Sequence, residues 1–163
     1  MKYIYILILV FFSNVAFACD LVNLNIGKKF SDISLGELEK TLITKSKFNN
    51  FTKIIIPIEI LCENSLRDII IDVYTFDEKI FKLSFTNSDF QNKNLLKISK
   101  DIYKINFNFD KDLKKKFITL QLIKDNKYFF YYLDQIKKFE KFEIIEPDLN
   151  NNFVNLELDE LER

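Results

Sequence analysis

The sequence predicts an α+β protein: an antiparallel sheet of about six to seven strands, with two main helices packed on one face. Three observations carry this reading. Apolar residues alternate with polar ones over 69–73 and again over 81–85, and Asp77-Glu78 supplies a turn between them. A second block of strand-like pattern runs through 118–133. Two other stretches, 34–43 and 88–104, place apolar residues at helical spacing behind capping boxes.

The elements follow in order. Val22, Leu24 and Ile26 alternate with asparagines, which predicts a short strand ended by Gly27. Ser34 and Glu37 form a capping box, and Leu35, Leu38, Leu42 and Ile43 then recur as one helical face; alternatively Gly36 caps a shorter helix. The polar stretch 44–53 reads as a loop. Residues 54–61 are almost wholly apolar, and Pro57 confines that strand to an edge or a bulge. The hairpin 68–86 comes next. Ser88 and Gln91 cap a helix to about 104, with Leu95, Ile98 and Ile102 on one face. Ile105, Phe107 and Phe109 alternate with asparagines as another strand. Strands at 118–122 and 128–133 are joined by Asp125-Asn126-Lys127. Ile136, Phe139 and Phe142 recur every three residues and suggest a short helix over 134–142. A polar, acidic tail is expected from about 147, with a last strand over 154–158. The similar placing of the 77–79 and 125–127 turns suggests two tandem helix-plus-three-strand units.

Composition narrows the function classes. The chain has 163 residues, with 24 basic and 24 acidic side chains, so no global charge attracts nucleic acid or an anionic membrane. Abundant Lys, Asn, Ile and Phe, with alanine only at positions 16 and 18, is explained by AT-rich coding, so the lysines are not read as a binding device. With only two glycines, turns that need positive φ must draw on Asn and Asp. Histidine is absent, which removes the commonest general base and most transition-metal ligands. Two glycines also exclude the glycine-rich nucleotide loops. The alternating oxygens of 108–112 resemble the start of a calcium loop, but Leu113 stands where that loop needs glycine, and a solvated turn is the simpler reading. No catalytic, cofactor or metal residue is assigned, and the carboxylates Glu59, Glu63, Asp68 and Asp72 receive no acid/base role.

The first residues carry an address. Met1-Lys2, an apolar run of ten residues over 3–12, and Ala16 and Ala18 ahead of Cys19 have the layout of a cleaved signal peptide. A membrane-spanning helix needs about 20 apolar residues. The expectation is a 1–18 signal peptide and a single 19–163 domain, periplasmic or secreted. Cleavage makes Cys19 the first mature residue. It then either pairs with Cys62 as a disulfide, or is acylated as in a lipoprotein and leaves Cys62 a buried thiol. The membrane becomes a partner only in the second case.

The run Tyr128-Phe129-Phe130-Tyr131-Tyr132 is the most unusual local feature. The simpler reading is a central strand covered on both faces. The functional one is a contact surface, formed by Tyr128, Phe130, Tyr131 and Tyr132, for another envelope protein or a small apolar ligand.

Two resemblances touch these residues. Ile26-Gly27, Phe30-Ser31-Asp32-Ile33 and Leu35-Gly36 resemble the start of SmpA/BamE-like outer-membrane-assembly lipoproteins, which implies a meander over 68–86 and an assembly role. Cys19-Asp20-Leu21, Ile26-Gly27 and Cys62 are similar to small exported α+β proteins of AT-rich bacteria, which implies export and supplies no activity. The expected function is non-enzymatic binding outside the cytoplasm, with an envelope-anchored assembly lipoprotein, tethered through Cys19, as the alternative.

Overall fold

A computed structural model describes residues 20–33, 44–48, 50–62, 68–88, 94–108 and 116–161. Seven antiparallel strands form one sheet in the order β1-β2-β3-β4-β7-β6-β5. They are β1 Thr44–Phe48, β2 Phe51–Pro57, β3 Ile69–Phe76, β4 Lys79–Asn87, β5 Phe117–Lys124, β6 Lys127–Asp134 and β7 Phe139–Ile145. Among the described residues two α-helices accompany them, α1 Asn94–Asp101 and α2 Pro147–Leu161. The class and the strand number match the sequence reading.

Turn chemistry sets the hairpins. Asp77 and Glu78, and again Asp125 and Asn126, all have positive φ, the backbone of the two-residue turns that match strand twist. Asp68 is a further acidic residue in this region, so glycine scarcity is met largely by Asp and Asn. The β6–β7 turn is longer. Asp134 Oδ1 accepts from the amides of Ile136 and Lys137, both at 2.9 Å, and Lys138 closes the turn with φ 53°.

Several expectations are corrected. Residues 134–142 hold a hairpin turn and the start of β7, not a helix. β7 lies between β4 and β6 and is buried on both faces over 142–145, so its apolar residues do not alternate and sequence period misleads. The tail from 147 and its strand over 154–158 are instead α2, opened by Pro147, whose missing N–H suits the first helical turn, and by Asp148. The first predicted strand is a 3₁₀ turn over Asp20–Asn23, which buries Leu21 and Leu24 on one side. The loop 44–53 contains β1, a polar strand held by pairing with β2. Pro57 ends β2, which is not an edge strand. The last β1 pair is Thr44 with Ile55, so Pro57 extends past its neighbour and withholds no ladder bond from it. Residues 105–108 form no strand, although Ile105 and Phe107 bury as alternation predicts. The helix expected over 34–43 lies outside the described residues.

The pleat separates two apolar clusters. Ile54, Val73, Leu83, Phe142, Ile144 and Tyr131 share the inner face, where α1 adds Leu95 and Ile98. A register shift beside Tyr74 brings Phe81 onto the same face as Lys82, as a bulge does when it sets two residues against one. There Phe81 meets Phe51 and Phe153 of α2 in a second cluster. The two described helices, α1 and α2, therefore lie on opposite faces; of the two helices expected on one face, the one over 34–43 lies outside the described residues. All seven strands join one continuous sheet, in which β4 leads through α1 to the far edge strand β5; the first helix of the tandem reading, over 34–43, lies outside the described residues. Among the described residues no helix is long and apolar enough to cross a membrane.

Candidate functional site

The outer face over β5, β6 and β7 is the candidate site. Among the described side chains, α2 covers the other half of that face, over Phe51, Tyr74, Phe76 and Phe81. Alternation along β6 turns Tyr128, Phe130 and Tyr132 outward and half-buries them. Phe130 and Tyr132 stack with ring centroids 6.1 Å apart and planes 16° apart, and Tyr128 meets Phe130 edge-on. Register then brings Thr119 beside Tyr132, Gln121 beside Phe130 and Ile123 beside Tyr128. Phe117 and Ile123 on β5 are each 61% exposed and extend the apolar surface of the outward β6 rings.

A polar band bounds these rings. Glu143 Oε1 lies 2.9 Å from Lys141 Nζ and 3.7 Å from Lys82 Nζ, so one carboxylate holds two ammonium groups. Burial and the Glu143 charge push the Tyr132 hydroxyl up from its ordinary value. Beyond the band, Lys82 and Lys53 stand over the Tyr74 ring at 5.1 and 5.4 Å, and Lys53 pairs with Asp72 at 3.1 Å. At the β6–β7 turn end, a groove of about 520 Å³ opens between Phe117, Tyr132, Phe139 and Lys141. It is an open apolar trough with charged walls, suited to an apolar side chain.

The inner face of the same strand is closed. Tyr131 is fully buried and donates to Glu140 Oε1 at 2.8 Å. Glu140 is also fully buried. Its Oε1 accepts from the Leu96 amide of α1 at 3.3 Å, and its Oε2 from Asn87 Nδ2 at 3.0 Å. Burial first, then the Glu140 charge and hydrogen bond, push the Tyr131 hydroxyl far above its ordinary range. This carboxylate clasps α1 to the sheet and opens to no solvent, so it offers a substrate no approach.

Of the expected surface residues, Tyr128, Phe130 and Tyr132 share the outer face, and Tyr131 does not. Its removal from the surface follows from the two-residue period, which puts alternate members of an aromatic run on opposite faces. Sequence reasoning missed Phe117, Ile123 and Phe139. The signal for the first two was present: they are apolar at the positions of β5 that alternate with inward Ile118, Leu120 and Leu122. Cys62 is fully buried in the inner core together with Leu21, and no described cysteine is free; Cys19 lies outside the described residues. Asp72 is engaged with Lys53, Glu59 accepts from the Asp68 amide at 3.3 Å, and Glu63 lies outside the described residues. Among the described residues no three His, Cys, Asp or Glu side chains gather where a metal ion would be held.

Comparison with family models, with curated proteins and with solved structures finds no match to this chain.

Proposed function

We propose that this is a non-enzymatic extracytoplasmic protein that works by binding another envelope protein through the outer face of β5–β7. The observation that carries the reading is the aromatic row of Tyr128, Phe130 and Tyr132 beside exposed Phe117 and Ile123, left bare where α2 covers the other half of the same face. Large exposed apolar groups in a contiguous patch mark interaction sites. The lack of histidine and the closure of Glu140 support a role without catalysis.

The leader pattern of 1–18 supports export. Leu21, two residues after Cys19, shares the buried core with Cys62, and Cys62 is not free. Both facts support a Cys19–Cys62 disulfide, and with it the soluble form over the form lipidated at Cys19, because one sulfur does not serve both. Mass spectrometry of the exported chain, alkylated before and after reduction, tests the address and the bridge together. The expected product starts at Cys19 and takes up alkyl groups only after reduction. A diacylglycerol adduct on Cys19 would return the lipoprotein reading.

Binding is tested by crosslinking in envelope extract with wild type and with Phe130→Ala. A partner captured by the wild type and lost by the variant is expected. Equal capture by both would refute this surface.

A further inference from the structure

We infer that β5 accepts an added strand: an extended segment of a protein partner, alternately apolar in its middle and acidic at both ends. The inference rests on the binding role proposed above and names its partner.

The two edges of the sheet are built differently. β1 has five residues and exposes Lys45 and Lys47, the charges by which proteins blunt an edge against further pairing. β5 has eight residues, pairs without register shift along its length, and has no charge between Lys116 and Lys124. It contains no proline and no bulge, and among the described residues its one strand neighbour is β6. A straight, uncharged edge is what β-augmentation uses: main-chain hydrogen bonds give affinity, and pockets for alternate side chains give selectivity.

Charge chooses the occupant. Lys116 and Lys124 are both exposed and bracket the uncharged run. An antiparallel partner strand in register with the run meets one lysine at each end, so carboxylates at both ends are favoured. A second copy of this chain does the opposite. Pairing β5 with itself across the whole run sets Lys116 against Lys124 twice, and like charges directly opposite are destabilising. The outward side chains of an added strand continue the row from Phe117 to Ile123, and the groove between Phe117, Tyr132 and Phe139 receives an apolar one at the Phe117 end.

The experiment uses the exported full chain and two synthetic peptides of alternating valine and threonine. One peptide carries a glutamate at each end, the other a lysine. Amide hydrogen exchange and two-dimensional NMR read the site. The glutamate peptide is expected to slow exchange in β5, leave β1 unchanged, and bind about ten-fold more tightly than the lysine peptide. Thr119→Lys with Gln121→Lys, which copies the device of β1 onto exposed positions, is expected to abolish the protection while the melting temperature holds. Equal binding of both peptides, protection of β1, or no protection anywhere would overturn the inference. So would β5 protection that appears on concentrating the protein alone, with a doubling of mass by ultracentrifugation, since the occupant is then a second copy. Failure here with partner capture still lost in Phe130→Ala sinks only the added strand. Failure of both sinks the binding role as well.

Discussion

Tyr131 and Tyr132 are neighbours on one strand and live in different chemistry. Tyr131 faces inward, is wholly buried, and donates a hydrogen bond to a carboxylate that also holds α1. Tyr132 faces outward, half-buried, stacked on Phe130 at the rim of an open groove. The pleat alone makes the difference, because successive side chains of a strand point to opposite faces. The comparison teaches that an aromatic run carries two instructions at once. Its odd positions pack the inner core, and its even positions lie half-buried on the outer face.

The comparison breaks if the two faces respond alike to mutation. Phe142 lies in the inner core against Phe85 and Tyr103, with centroids 5.7 Å from each. Phe142→Ala is expected to destabilise by about 3–5 kcal/mol, against about 1 kcal/mol for outward Phe130→Ala, both read by urea unfolding. Reduction of the proposed Cys19–Cys62 bridge, which would close a loop of roughly 43 residues, should destabilise by about 4 kcal/mol on the chain-entropy account. Thermal unfolding with and without reductant checks it, and an unchanged midpoint removes the bridge.

Carboxylates sharpen the contrast further. Glu140→Ala strands the Tyr131 hydroxyl, the Asn87 amide and the Leu96 N–H in the core, and about 3 kcal/mol should be lost. The outward counterpart Glu143→Ala releases two lysines that reach solvent, and about 1 kcal/mol is expected.

At neutral pH the tyrosine hydroxyls add no pH dependence, and their contrast emerges only in alkali. Because folding raises the Tyr131 hydroxyl above its unfolded value, its stabilising share is fully present below pH of about 10 and is lost as pH rises beyond that. Each such buried tyrosine steepens the fall by up to about 1.4 kcal/mol per pH unit. Tyr103 is raised for the same reason, burial, and its hydroxyl donates to the Leu24 carbonyl at 3.0 Å. Tyr131→Phe should therefore flatten the alkaline limb by about half of the pair's share, and Tyr132→Phe should flatten it less. Equal flattening by both would erase the distinction between the faces.

Much of the inner face is legible in the sequence. The hairpin from β3 to β4 announces itself through period two and through Asp77-Glu78, and β5 and β6 do so through Asp125-Asn126. What escaped did so for physical reasons. β7 is buried on both faces and so lacks alternation. β1 is polar because it is a guarded edge, and only its partner makes it a strand. In α2, Val154, Leu156 and Leu158 alternate in the sequence with a strand's period, whereas the described core contacts come from Leu149 and Phe153, one helical turn apart. The site was half legible. The aromatic run stood out at once, but assigning its members to faces required the register, which depends on residues far away in sequence.

The central claim is that the outer aromatic face is open in the native protein while the inner one is sealed. Tyrosine nitration of the folded chain, mapped by mass spectrometry, reads this directly. Tyr128 and Tyr132 are expected to be modified and Tyr131 spared until the protein unfolds. Protection of Tyr128 and Tyr132 to the level of Tyr131 would mean that the face is already covered, and would contradict the account.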